Sequence, residues 1–156
     1  MEIFSIYMRL DEKDLKILDI LKKNAELTSS QISKKINIPI TTIHNRIKKL
    51  KQEGVIKNYT INIDFEKIGK PLTAYILITI NQSILGKKIS QHDIGKKLKL
   101  FDEVESADIV AGGTDMIIKV RAESMKTLNE FITEKLRNIE GIDKTQTLMV
   151  LEEITS

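Results

Sequence analysis

Cysteine is absent from this sequence, and histidine occurs only twice. Without cysteine the chain can form neither a disulfide nor a thiolate metal site. His44 and His92 are too few for a zinc site built from protein ligands alone. No apolar run reaches the roughly 18 residues that a membrane-spanning helix needs. These absences argue against disulfide-stabilised, zinc-binding and membrane-spanning proteins.

Recognisable catalytic motifs are missing as well. The chain contains no G-x-G-x-x-G sequence and no P-loop, and it offers neither a cysteine nucleophile nor a histidine cluster. His92 and Asp93 adjoin, but they fall at a predicted helix start, where aspartate is an ordinary first-turn residue. A small-molecule enzyme is therefore disfavoured, and we expect no catalytic residues, no metal and no resident cofactor.

What the chain does have is the composition of a small folded protein. Apolar residues make up 41% and charged residues 30% of its 156 residues, which suits one or two small domains with a real core. Glu2 stands where a signal peptide would be basic, and no small-residue cleavage site follows. We therefore expect a cytoplasmic protein.

Positive charge is concentrated in the first half. Residues 1–66 carry 12 basic and 9 acidic side chains, whereas residues 67–156 carry 13 of each. Within residues 34–57, seven basic side chains face a single acid, Glu53. A local surplus of this size suits phosphate binding. The asymmetry predicts a nucleic-acid-binding module joined to a neutral one.

Apolar spacing before residue 54 predicts three helices and a helix-turn-helix. Asp11 is a good N-cap for the first helix, Thr28 and Gln31 form a capping box for the second, and Gly54 ends the third. Pro39 lies in the turn between the second and third helices, because proline disfavours helix in the residue before it. The predicted helices are Asp11–Lys23, Ser29–Ile36 and Ile40–Glu53. The expected buried stripe of the first helix is Leu15, Ile17, Leu18 and Leu21.

The third predicted helix has two contrasting faces. Ile43, Ile47 and Leu50 share one face, which we expect to pack on the other helices. The other face begins with short polar groups able to reach base edges and continues with lysines suited to phosphates. Its candidate DNA contacts are Thr41, Thr42, His44, Asn45, Lys48 and Lys49. A solvated helix face is the alternative for the lysines, and His44 fits a base contact and an ordinary surface position equally well.

After Gly54 the pattern changes from helical to alternating. Residues 55–63 alternate as in a strand, which predicts a short strand or a linker leading away from the helices. Gly69 and Pro71 then break regular structure. We therefore divide the chain into a DNA-binding domain at residues 1–57, a hinge at 58–72 and a second domain at 73–156.

The second half predicts the order βαββαβ. This order implies an antiparallel four-stranded sheet with both helices on one face, a ferredoxin-like α+β fold. Its other face also carries apolar side chains, and a homodimer packed sheet to sheet is the simplest way to cover them. The predicted strands are 73–80, 104–110, 116–122 and 145–151, and the predicted helices are 90–100 and one that Ser124 caps and Gly141 stops.

Taken together, these features resemble the leucine-responsive and asparagine-operon (Lrp/AsnC) family of transcriptional regulators. The resemblance covers about residues 10–152. It implies an N-terminal winged helix-turn-helix that binds operator DNA, and a C-terminal domain, called RAM, that assembles dimers and larger oligomers such as octamers. The matching segments are Leu10-Asp11…Asp14…Ile17-Leu18, Arg46-Ile47-Lys48-Lys49-Leu50, Gly54-Val55-Ile56 with Tyr59, and Gly112-Gly113-Thr114-Asp115.

The resemblance also implies particular site residues. It places Arg46 on the recognition helix with the candidates above, and it makes Gly112, Gly113 and Asp115 an effector loop that binds an amino acid. A tight turn, in which Asp115 only satisfies nearby backbone N–H groups, is the equally weighted alternative. The family often has serine where Pro39 stands, so Thr41 or water is left to cap the helix.

Two functions follow as hypotheses. The first is a sequence-specific transcriptional regulator whose partners are double-stranded DNA and further copies of itself, with an amino acid as effector. The second is an architectural protein that binds DNA without regard to sequence and compacts it as an oligomer. Phosphate contacts and oligomer wrapping are common to both, so the sequence does not separate them.

Overall fold

The computed structural model describes residues 10–154 except Gln82 and Leu85. The N-terminal residues that argued against a signal peptide, including Glu2, lie outside this range. The chain divides into two compact units between Asn62 and Ile63, within the predicted hinge. None of the helices in the described part is both long and apolar enough to cross a membrane.

The first unit contains the three predicted helices. They are α1 (Glu12–Lys23), α2 (Ser29–Ile36) and α3 (Ile40–Gln52). Asp11 caps α1 and Thr28 caps α2, each through a capping box, so these helices begin where the sequence predicted. Gly54 follows the C-cap of α3 with φ +71°, a conformation that glycine adopts without strain. The helix-turn-helix prediction is therefore confirmed.

A small isoleucine-rich core holds the three helices together. Ile17, Ile32, Ile43 and Leu50 are fully buried, and Leu21 nearly so. Ile47 and Leu18 pack against them as half-buried residues. The predicted stripe of α1 is wrong at one position, since Leu15 is 54% exposed. It lies on the far side of α1 from the fully buried Ile17, and packing is one-sided in so small a unit.

The segment that follows α3 contains no strand. Between residues 54 and 71, all of which are described, no strand is present, so the linker alternative holds and the strand alternative is wrong. Ile61 is 78% exposed, so the apolar side chains of this alternating segment are not all buried. A segment with alternating apolar residues forms a β-strand only when its backbone is hydrogen-bonded to a neighbouring strand.

The second unit has the predicted βαββαβ order with one addition. Its elements are β1 (Leu72–Ile80), β2 (Ser83–Ile84), β3 (Lys87–Lys88), α4 (Gln91–Leu98), β4 (Val104–Ile109), β5 (Met116–Ala122), α5 (Met125–Glu130) and β6 (Ile142–Met149). The short hairpin of β2 and β3 was not predicted, and it occupies the long connection after β1. The four-stranded sheet has the antiparallel order β4-β5-β1-β6.

The helix after β5 ends earlier than predicted. From Phe131 to Leu136 the chain continues α5 as a π-helical turn, and it leaves helical structure before Gly141. Phe131 and Leu136 are both buried, so the wider turn brings both side chains into the core. The last strand correspondingly starts at Ile142, three residues before the predicted start at Thr145.

The main core lies between the helices and one face of the sheet. Ile76 and Ile78 of β1 and Ile118 of β5 are fully buried there. They pack with Leu98 of α4 and Phe131, whose ring meets that of Phe101 edge to face at 5.8 Å. The opposite face of the sheet carries Tyr75 of β1 and Leu148 of β6. These two residues are paired across the neighbouring strands.

Candidate nucleic-acid interface and ligand loop

The outer face of α3 presents the predicted DNA-contacting side chains. Burying Ile43 and Leu50 turns the opposite side of α3 to solvent. Thr41, His44, Asn45, Lys48 and Lys49 are exposed there, and Thr42 is half-buried. Six of the seven candidates therefore lie on or beside one accessible surface.

The start of α3 lacks a side-chain cap. Pro39 occupies the N-cap position and the helix makes no side-chain capping hydrogen bond, so the proposed capping by Thr41 is wrong. The first regular bond is donated by the Ile43 N–H to the Pro39 carbonyl at 3.1 Å. Proline tolerates this position because the first N–H groups of a helix have no partner inside it.

Arg46 differs from the other candidates because it is engaged within the domain. Its Nη1 donates to Asp14 Oδ1 at 2.7 Å and lies 2.7 Å from Asp11 Oδ2. The hydrogen bond with Asp14 is the main cause that raises the pKa of Arg46. Sequence reasoning identified Asp11 as a helix cap but missed this second role, because the two carboxylates lie 32 and 35 positions before the arginine.

Lys51 also has a partner that the sequence did not reveal. Its Nζ lies 4.6 Å from the centroid of the Tyr59 ring, within the range of a cation–π contact. This contact ties the segment after α3 back to the end of that helix. Lys51 is therefore more than a solvated charge, although it remains exposed.

The Gly112–Asp115 loop connects β4 to β5 and is closely tied to β1. Asp115 Oδ2 accepts from the Ile80 backbone N–H at 2.7 Å, and its Oδ1 accepts from Gln91 Nε2 at 2.9 Å. The Thr114 hydroxyl donates to the Ile78 carbonyl at 2.9 Å. Both carboxylate oxygens of Asp115 are thus engaged inside the domain, which favours the structural alternative for that residue.

A groove on the helix-free face of the sheet adjoins this loop. It has a volume of about 530 Å³ and is lined by Leu77, Thr79, Gly113, Thr114, Lys144, Thr145 and Gln146. Gly112, with φ +146°, allows the turn that places Gly113 at its edge. Among the three predicted effector residues, the structure brings Gly113 to the groove, whereas Asp115 bonds to the start of α4.

The same sheet face carries an ion-pair network that was not predicted. Arg121 pairs with Glu105 at 2.6 Å and with Glu153 at 3.1 Å, and Lys119 reaches Glu153 at 3.0 Å. Burial opposes the charge on Arg121, but these carboxylates outweigh that effect and raise its pKa. The Phe65 ring lies over the guanidinium at 4.1 Å.

Apolar side chains remain uncovered beside this network. Tyr75 is 40% and Leu148 46% exposed, and they are cross-strand neighbours on β1 and β6. Within the described range no group of three or more histidine, aspartate or glutamate side chains is arranged to hold a metal ion.

Comparison with known proteins agrees with this geometry. Residues 10–57 match the model of a winged helix-turn-helix DNA-binding domain, and residues 73–156 match the Lrp/AsnC ligand-binding domain. An uncharacterized HTH-type transcriptional regulator of Pyrococcus furiosus is 36% identical over 140 residues, which cover 90% of this chain and 91% of that protein.

Solved structures give the same assignment. A transcriptional regulator of Neisseria meningitidis in complex with L-Met has a TM-score of 0.86 and 26% identity, covering 95% of this chain and 94% of that one. AsnC of Escherichia coli has a TM-score of 0.78 and 28% identity, with 96% and 97% covered. The chain therefore belongs to the Lrp/AsnC family of DNA-binding transcriptional regulators.

Proposed function

We propose that this regulator recognises a two-fold operator through the exposed face of α3, presented in pairs by a homodimer. The observation that carries this proposal is the polarity of α3 itself, with Ile43 and Leu50 fully buried and the polar face opposite them exposed. Thr41, Thr42, His44 and Asn45 are the candidates for base contacts, whereas Lys48 and Lys49 are suited to phosphates. Two-fold pairing predicts a pseudo-palindromic site.

A salt titration of DNA binding tests the two roles of α3 separately. We would measure the affinity of the full chain for its own upstream DNA and for random DNA of equal length. Lys48→Ala should weaken both and reduce the slope of log K against log salt by about 0.9 per lost phosphate contact. Asn45→Ala should weaken upstream binding alone, by about tenfold or more if a bidentate base contact is lost.

Lys126→Ala is the matched control, since Lys126 is an 85% exposed lysine in the other unit. It should leave both the affinity and the slope unchanged. Equal affinity for upstream and random DNA at moderate salt would instead support the architectural alternative. An unchanged slope in Lys48→Ala would remove that residue from the interface.

The helix-free sheet face supports self-association. Tyr75 and Leu148 are exposed and lie side by side on neighbouring strands, so they form a small apolar patch and are not isolated surface residues. We propose that a second copy covers them, and that larger oligomers such as octamers form from these dimers. Leu148→Lys should give a smaller species by light scattering, whereas Glu152→Lys, at an exposed position nearby in the chain, should not. If Leu148→Lys left the molar mass of the assembly in solution unchanged, the interface would lie elsewhere.

We further propose an amino acid as effector, bound beside Gly113. The support is the groove that Gly113 and Thr114 border, together with the L-Met complex of the Neisseria meningitidis relative. Calorimetric titration with a panel of amino acids, L-Met included, tests this proposal on the oligomer. Binding that survives Thr79→Trp, which would fill the groove, would move the site away from it. Because DNA is the proposed partner, we expect the protein to work in the cytoplasm.

A further inference from the structure

The junction between α1 and α3 is built from one arginine and two aspartates. Arg46 Nη1 lies 2.7 Å from carboxylate oxygens of both Asp11 and Asp14. The Asp14 side chain is 8% exposed and that of Arg46 is 25% exposed. A pair this sheltered is less screened by solvent than the lysine pairs on the surface of α1.

The same aspartates also form the start of α1. Asp11 Oδ1 accepts from the Asp14 N–H at 2.9 Å, and Asp14 Oδ2 accepts from the Asp11 N–H at 3.2 Å. Asp14 uses Oδ2 for the capping box and presents Oδ1 to Arg46, whereas Oδ1 of Asp11 accepts from both the Asp14 N–H and Arg46 Nη1, the latter at 2.8 Å. The first turn of α1 and the middle of α3 share a single polar junction.

This arrangement is unfavourable for a phosphate contact by Arg46. Two carboxylates surround one guanidinium, so an approaching phosphate would meet a site with excess negative charge. Nε of Arg46 is buried in this arrangement, so that donor is not accessible to a phosphate. Lys48 and Lys49, by contrast, are exposed on α3.

We propose that Arg46 is a positioning residue, which fixes the orientation of α3 by binding Asp11 and Asp14 and does not itself hold a phosphate. This inference rests on the proposed recognition of DNA by α3. Arg46 directly follows Asn45, so anchoring it restricts the rotation of α3 about its axis. Base contacts require close geometry, whereas phosphate contacts tolerate small rotations. Loss of the anchor should therefore reduce discrimination between DNA sequences more than it reduces binding to random DNA.

The decisive measurement is the ratio of affinities for upstream and random DNA. Asp14→Asn removes half of the junction while conserving its shape, and it should lower this ratio about tenfold. Loss of one negative charge strengthens binding to both DNAs alike, so the ratio cancels that effect. Asp19→Asn is the matched control, because Asp19 lies on the same helix but pairs with Lys23. It should leave the ratio unchanged.

Two arginine variants separate positioning from contact. Arg46→Lys keeps the charge but cannot reproduce the guanidinium geometry, so it should lower the ratio as Asp14→Asn does. Arg46→Ala should keep the wild-type salt slope on random DNA, whereas loss of a phosphate contact would reduce that slope by about 0.9. Circular dichroism should first establish that each variant is folded at the binding temperature.

The outcomes are distinguishable. Equal affinity of the wild type for upstream and random DNA would contradict the proposed sequence-specific function. The salt slope of Arg46→Ala on random DNA would still decide whether Arg46 contacts a phosphate. Suppose instead that the wild type prefers upstream DNA. The positioning role alone would then be overturned if Asp14→Asn and Arg46→Lys left the affinity ratio unchanged. It would also be overturned if Arg46→Ala reduced the salt slope on random DNA. Should Asp14→Asn fail to fold, the two arginine variants give the same decision.

Discussion

Replacing Ile43 by alanine should selectively destabilise the first unit. Ile43 is fully buried and packs in a core whose other fully buried members are Ile17, Ile32 and Leu50. Truncating such an isoleucine to alanine costs about 2–5 kcal/mol. A domain of about 50 residues has a total stability of roughly 3–8 kcal/mol. The substitution therefore removes between about a quarter and all of the stability of this unit.

The second unit should be unaffected by this change, because its buried core is built from a separate set of residues. Calorimetry should show the transition of the first unit moved down or lost, with the other transition retained. Amide NMR spectra would assign each transition to its unit. Ile43→Val, which removes one methylene, should cost only about 0.5–1.5 kcal/mol.

Ile40→Ala provides the control on the same helix. Ile40 is 51% exposed, so its truncation loses little burial, and alanine gains a few tenths of a kcal/mol in helix propensity. Its net effect should be close to zero. The reasoning is refuted if Ile43→Ala leaves the first transition in place, or if it lowers both transitions equally, since the two cores would then not be independent.

Three further outcomes are expected. Gly141→Ala should lower the thermal stability of the second unit more than Gly69→Ala does. Both glycines have positive φ, but a Cβ at Gly141 would lie 2.5 Å from the Ile89 side chain, whereas a Cβ at Gly69 would meet nothing within 4 Å. Equal losses of stability in the two variants would contradict this contact. Asp115→Asn should lower the free energy of unfolding by about 1–2 kcal/mol without any amino acid present, because it replaces a carboxylate that accepts two hydrogen bonds. An unchanged midpoint of thermal unfolding would argue against a structural role for Asp115. A hydrogen bond with Lys119 lowers the pKa of Glu153 below its ordinary 4.5, so its stabilising ion pairs are intact above that pH and are lost as the pH falls through the lowered value. Protection of the Val150 amide, which donates to the Thr73 carbonyl, should fall in that acidic range when exchange is compared with the intrinsic rate at the same pH, and in Glu153→Gln it should fall at neutral pH as well; an equal fall in Glu152→Gln would contradict the assignment.

Short-range chemistry explains why the helices of the first unit could be located from sequence. Asp11 and Thr28 each satisfy backbone N–H groups within three residues, so capping residues mark helix starts that need no tertiary information. The βαββαβ order was accessible for a similar reason, since buried strands and amphipathic helices have distinct periods. Leu15 shows the limit, because its apolar character says nothing about which neighbour covers it.

Long-range partners account for the features that were missed. Arg46 looks like any other basic residue of α3 until the fold brings Asp14 to it from 32 positions away. Asp115 matched a loop pattern, but its bonds to Ile80 and Gln91 depend on how that loop meets β1 and α4. The segment before Phe65 was ambiguous because alternation of apolar residues does not reveal whether a partner strand exists.

The order β4-β5-β1-β6 has a consequence for synthesis of the chain. Within this sheet the first strand to be made, β1, is an interior strand, and its two neighbours are β5 and the last strand of the sheet, β6. During translation β1 has no partner until β5 emerges, and one of its edges stays open until Met149 has left the ribosome. An apolar strand with an open edge can pair with other nascent chains. We expect this interval, rather than the fast local folding of the three helices, to set the yield of native protein.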